Sequence, residues 1–161
     1  FWVSAWQSAV FNRLLDERLQ DGTVATLALG DVAWKHGNGS RFQVDQAAVD
    51  AAGDEALAAR AQRFEISPTG VLPGSEALAA HGPTLEREHA AIRAFGMDPA
   101  FFETANPWQQ GTRRPFRVRV SNAEIEGASD EHGPYVRVAF DLPAGAYATV
   151  VLRELGVEVA D

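Results

Sequence analysis

Residues 140–155, Phe-Asp-Leu-Pro-Ala-Gly-Ala-Tyr-Ala-Thr-Val-Val-Leu-Arg-Glu-Leu, leave the backbone few choices. An alternating strand ends at Phe140, and Pro143 and Gly145 then force a turn. The apolar spacing after Tyr147 is helical. One flat ring, Tyr147, therefore falls at a strand-to-helix junction, where a base or another planar ligand can stack. The ordinary alternative for a lone tyrosine is a place in the core.

The rest of the chain is of the same mixed kind and predicts an α+β fold of antiparallel strands packed with helices. Ser4 and Gln7 have capping-box spacing, and Trp6, Val10, Phe11, Leu14, Leu15 and Leu19 predict an amphipathic helix over 4–20. Segments 31–36 and 41–44 flank Gly37-Asn38-Gly39-Ser40, the signature of a hairpin. Residues 45–64 predict two short helices or one broken helix around Gly53, and Pro68, Gly70, Pro73 and Gly74 predict a loop over 66–74. A second clear helix spans 83–95, with Leu85, His89, Ile92 and Phe95 as its apolar stripe. Phe116, Val118 and Val120 alternate with Arg117 and Arg119, and Tyr135, Val136, Val138 and Phe140 surround Arg137. These predict an antiparallel strand pair joined by 127–134, with its arginines facing solvent.

Composition narrows the chemistry. The 161 residues carry a net charge of −8, which argues mildly against a dedicated nucleic-acid binder. The cations are nevertheless unusual: all but Lys35 are arginine, and Arg113, Arg114, Arg117 and Arg119 fall within seven positions. Arginine suits bidentate phosphate contact and stacking on bases. The same cluster could instead pair with the chain's excess carboxylates. The four histidines are scattered, so no metal site is expected, and there is no Gly-x-Ser-x-Gly elbow. With no cysteine, no transmembrane-length apolar run and no secretory-type leader, a cytoplasmic protein without disulfides is expected.

Two motifs carry a resemblance. Leu142-Pro143-Ala144-Gly145-x-Tyr147-Ala148-Thr149-x-x-x-Arg153-Glu154-Leu155 resembles the close of the catalytic domain of the tRNA pseudouridine synthase D (TruD) family. Ser4-Ala5-x-x-Ser8-x-x-Phe11-Asn12 resembles that family's Ser-Ala-x-x-Ser-x-x-Phe-Asn helix. A weaker match, Thr69-Gly70-x-x-x-Gly74 before a Glu-containing helix, lies between them.

The resemblance implies an isomerase that converts a uridine of tRNA (position 13 in the family) to pseudouridine, with no cofactor and no metal. It implies that residues 1–22 belong to the catalytic core, 23–112 to an insertion domain, and 113–161 to a return into the core. Tyr147 would then contact the substrate base, Pro143 and Gly145 would shape its turn, and Arg113 and Arg114 would match a paired-arginine position; with Arg117 and Arg119 of the same cluster they are the residues expected to contact tRNA. The family's catalytic Asp lies in a Gly-x-Lys-Asp motif, whereas here the only lysine, Lys35, is followed by His36. No catalytic residue is therefore assigned, and the chain alone is expected to be inactive. Its start at Phe1 reads as that of a fragment. A non-catalytic RNA-binding module and an acidic protein-interaction domain are the alternatives.

Overall fold

The computed structural model describes residues 2–102, 104 and 110–156, which form two compact units, Phe1–Arg117 and Val118–Asp161. In the first unit α1 (Trp2–Gln20) leads to the hairpin β1 (Val32–Lys35) and β2 (Arg41–Gln43). Short helices α2 (Gln46–Asp50) and α3 (Leu57–Gln62) follow, then β3 (Ile66–Leu72), α4 (Gly82–Ala94) and β4 (Thr112–Pro115). The four strands make one antiparallel sheet in the order β2-β1-β3-β4. Helices α1 and α4 meet β3 through Val10, Leu14, Val71, Ala91 and Ile92, which form the apolar core.

The hairpin lies where its Gly/Asn turn predicts it. The segment predicted as a loop over 66–74 is instead the strand β3, buried along its whole length. A strand covered on both faces need not alternate, and Pro68 and Gly70 disguise it. Gly70 is required there because a Cβ would lie 2.6–2.9 Å from the rings of Phe116 and Phe11. These rings pack together at 5.5 Å. Ser4 does not cap α1, which starts two residues earlier; Gln7 donates its side-chain amide to the Pro73 carbonyl instead.

A buried ionic junction fixes the loop before β1. Asp31 accepts from Arg18 Nη2 at 2.5 Å, from Thr84 Oγ1 at 2.7 Å and from the Ala28 amide at 2.9 Å. It thereby ties α1, the loop and α4 together. Next to it Gly30 has a φ of +89°, and any Cβ there would run into the His81 carbonyl. Gly30→Ala combines backbone strain with overpacking against main chain. It is expected to destabilise the first unit by about 1–3 kcal/mol, read as a lower midpoint in urea.

The second unit differs from expectation in its strands. Residues 116–120 form no strand; β5 runs over Ser121–Asp130 and pairs antiparallel with β6, Gly133–Asp141. The apparent alternation at 116–120 reflects separate tasks. Phe116 packs on Phe11, Arg117 bonds to carbonyls of the first unit, and Val118 and Val120 are exposed. Helix α5 (Ala148–Glu154) closes the unit.

Candidate substrate and RNA contacts

Tyr147 occupies the N-cap of α5, just after a turn in which the Ala146 amide bonds to the Pro143 carbonyl at 3.1 Å. Gly145 supplies the left-handed conformation of that turn, with φ at +87°. N-cap positions favour Ser, Thr, Asp or Asn, whose short side chains bond to the first free amides. Tyr147 makes no such bond, and it is 69% exposed. The position therefore gains neither a cap nor buried area from its ring. Local stability does not account for a tyrosine here.

The four arginines do not share one surface. Arg113 and Arg114 are neighbours on β4, so their side chains leave opposite faces of the strand. Arg113 is only 2% exposed. Its guanidinium is ion-paired to both carboxylate oxygens of Glu88 and also donates to Thr69 Oγ1 at 2.8 Å and the Leu78 carbonyl at 2.8 Å. The expectation that Arg113 offers its charge to RNA is thereby corrected: its donors are spent inside the fold. Arg114 lies over the Phe11 ring at 5.3 Å.

Arg117 is half-buried, and desolvation lowers its pKa from the usual guanidinium value. It donates to Ser67 Oγ at 3.1 Å and to the Ala61 and Ile66 carbonyls at 3.0 Å each. Arg119 is an exposed residue of the second unit.

Glu88 is the residue that the sequence pattern hides. It sits on the buried face of α4 with Ala91 and Ile92, while Phe95, expected on that stripe, is exposed. Burial pushes the Glu88 carboxyl above its ordinary value, and the Arg113 charge and hydrogen bonds pull it back. An acid on an amphipathic helix is ordinarily placed on the solvent side, and nothing local marks its partner 25 residues ahead.

Among the described residues no group of three or more His, Cys, Asp or Glu side chains is arranged to hold a metal ion. No described helix is long and apolar enough to cross a membrane.

The described residues form the mixed helical and antiparallel fold that the two sequence motifs lead one to expect, with an exposed aromatic at a strand–turn–helix junction. Comparison with known proteins agrees: residues 1–155 match the family model described as tRNA pseudouridine synthase D (TruD), and the chain belongs to this family. It is 41% identical over 155 residues to the tRNA pseudouridine synthase D of Geobacter sulfurreducens, covering 96% of this chain and 35% of that protein. The tRNA pseudouridine synthase D of Anaeromyxobacter sp. is 42% identical over 153 residues, covering 95% of this chain and 40% of the relative. The crystal structure of the putative tRNA pseudouridine synthase D (TruD) from Methanosarcina mazei superposes with a TM-score of 0.65 at 26% identity. That match covers 92% of this chain and 36% of the solved one. The chain thus spans well under half the length of the relatives it matches.

Proposed function

We propose that this chain supplies base-contacting and RNA-binding elements to a tRNA pseudouridine synthase of the TruD type, acting in the cytoplasm without metal or cofactor. The exposed ring of Tyr147 carries the proposal. A uracil taken out of its stack must be held on its faces, and this ring is presented where it neither caps a helix nor fills a core. Pro143 and Gly145 hold the turn that presents it. Arg114, Arg117 and Arg119 are the guanidiniums proposed to face tRNA, whereas Arg113 holds the scaffold.

The division of labour follows the family. We assign 1–22 and 113–161 to the catalytic part and 23–112 to the insertion. The second unit supports this assignment by what it leaves uncovered. Ile125 pairs with Val138 and Gly127 with Val136, so these side chains share one face, while Glu126 and Arg137 pair on the other. Ile125 is 72% exposed and Val136 67%. A two-stranded sheet is marginal alone in water. The remaining length of the family's proteins is the natural cover for this apolar face.

The test is a chimera in which residues 1–155 replace the matching segment of the Geobacter sulfurreducens relative, assayed for pseudouridine in unmodified tRNA. The chimera is expected to form product. The 161-residue chain alone is expected to form none, because it has no Gly-x-Lys-Asp motif. A folded but inactive chimera would reject the proposal, and turnover by the chain alone would place the catalytic carboxylate among its own acids.

A further inference from the structure

Arg117, proposed above to face tRNA, belongs to a wider band of cations and rings on the sheet of the first unit. Trp34 lies directly opposite Arg41 on β2 and Ser67 on β3, so the three side chains share one face. The Arg41 guanidinium is held over the Trp34 ring at 5.1 Å. Beside them the Ser67 hydroxyl meets both His36 Nε2, at 2.8 Å, and Arg117 Nε, at 3.1 Å. The ring of Phe64 completes the band: it lies 4.5 Å from the His36 ring and 4.7 Å from the Arg117 guanidinium.

Two features of this band suit it to an anionic, aromatic ligand. First, neither Arg41 nor Arg117 has a carboxylate partner among the described residues, although the chain carries 22 acids. Arg13, Arg18, Arg60, Arg63, Arg87, Arg113 and Arg137 are each matched to one, while Arg93 and Arg114 are not; what sets Arg41 and Arg117 apart is that each lies against a ring of this one face. Arg117 spends Nε and Nη2 on Ser67 and two carbonyls and leaves Nη1 unspent. Second, Phe64 follows the C-cap of α3 with φ at +59°, a conformation that costs a bulky residue and suits glycine. An aromatic is kept in a strained position, and its ring lies between a histidine and an arginine.

We propose that this face binds an unpaired stretch of RNA, with phosphates on Arg41 and Arg117 and bases stacked along the band. Guanidiniums held over rings are already in place to meet a phosphate or the face of a base, so little ordering remains to be done on binding. Stacking needs bases free of a duplex, which selects single-stranded segments. The proposal rests on the reading of the chain as part of an RNA-acting protein, and it names where in the first unit that RNA lies.

The test measures binding of the 161-residue chain to a fluorescent single-stranded oligouridine and to an RNA duplex, over a series of salt concentrations. The oligouridine is expected to bind more tightly than the duplex. Arg41→Gln is expected to weaken it about tenfold and to lower the salt slope by about one. Phe64→Gly relieves the positive φ while losing the ring's contacts with His36 and Arg117, so it is expected to stay folded yet to bind about tenfold more weakly. Arg93→Gln removes one exposed charge of α4 outside the band and is expected to leave oligouridine affinity nearly unchanged, so the assay reads this band rather than net charge. Wild-type affinity in folded Arg41→Gln and Phe64→Gly, preference for the duplex, or no RNA binding by the wild type would each overturn the inference. Pseudouridine formation by the chimera would still stand or fall on its own.

Discussion

Glu88→Ala is expected to cost the first unit about 3–5 kcal/mol, enough to unfold a domain of ordinary stability. The substitution removes a carboxylate that meets the Arg113 guanidinium inside the fold, where both side chains are all but excluded from water. The loss is not that of the ion pair's net value. It is the cost of leaving a guanidinium buried without its counter-charge, because arginine does not shed its proton at any ordinary pH. Glu88→Gln keeps an acceptor and the shape of the side chain, so it is expected to fall between Ala and wild type. The double variant Glu88→Leu with Arg113→Met replaces both charges by apolar groups and is expected to recover most of the loss. Urea denaturation followed by far-UV circular dichroism reads all three. Equal stability of Glu88→Ala and wild type would show that Arg113 finds solvent or another acid.

Tyr147→Ala carries the largest expected effect on function. In the chimera with the Geobacter sulfurreducens relative, pseudouridine formation at saturating tRNA is expected to fall about 10- to 100-fold. That is the range for losing one stacking ring against a base, roughly 1–3 kcal/mol. Affinity for tRNA is expected to change by no more than about threefold, since phosphate contacts dominate it. Tyr147→Phe keeps the ring and is expected to be nearly silent. Stability separates the reading from its bland alternative: an exposed N-cap tyrosine contributes little to the fold, so Tyr147→Ala is expected to melt within a degree or two of wild type. A large fall in melting temperature with a proportionate fall in activity would mark the ring as structural.

Legibility in the sequence followed periodicity. The hairpin of β1 and β2, helices α1 and α4, and the strand–turn–helix at 140–155 each bear a local signal that the structure keeps. Strand β3 carried none, because a strand buried on both faces has no alternation, and its Pro68 and Gly70 imitate a loop. Strand β5 was hidden by the Glu, Gly, Ser and Asp residues of a surface hairpin, while Phe116, Val118 and Val120 mimicked a strand one segment early. The same limit applied to the arginines. Their clustering was visible, but whether each faces solvent depended on Glu88 and Thr69, distant residues that no spacing connects to Arg113. The place of Tyr147 at a strand-to-helix junction was legible locally, but its exposure was favoured over a core position only through the family motif.

The proposed contact between Tyr147 and the reacting uridine is the point on which the functional reading turns, and a zero-length crosslink measures it. Transfer RNA carrying 4-thiouridine at the family's target position is bound to the chimera and irradiated, and the crosslinked tryptic peptides are sequenced. The segment from Val138 to Arg153 is expected to carry the nucleotide on Tyr147, and the adduct is expected to disappear in Tyr147→Ala. Efficient crosslinking that maps elsewhere, with this segment unmodified, would contradict the assignment.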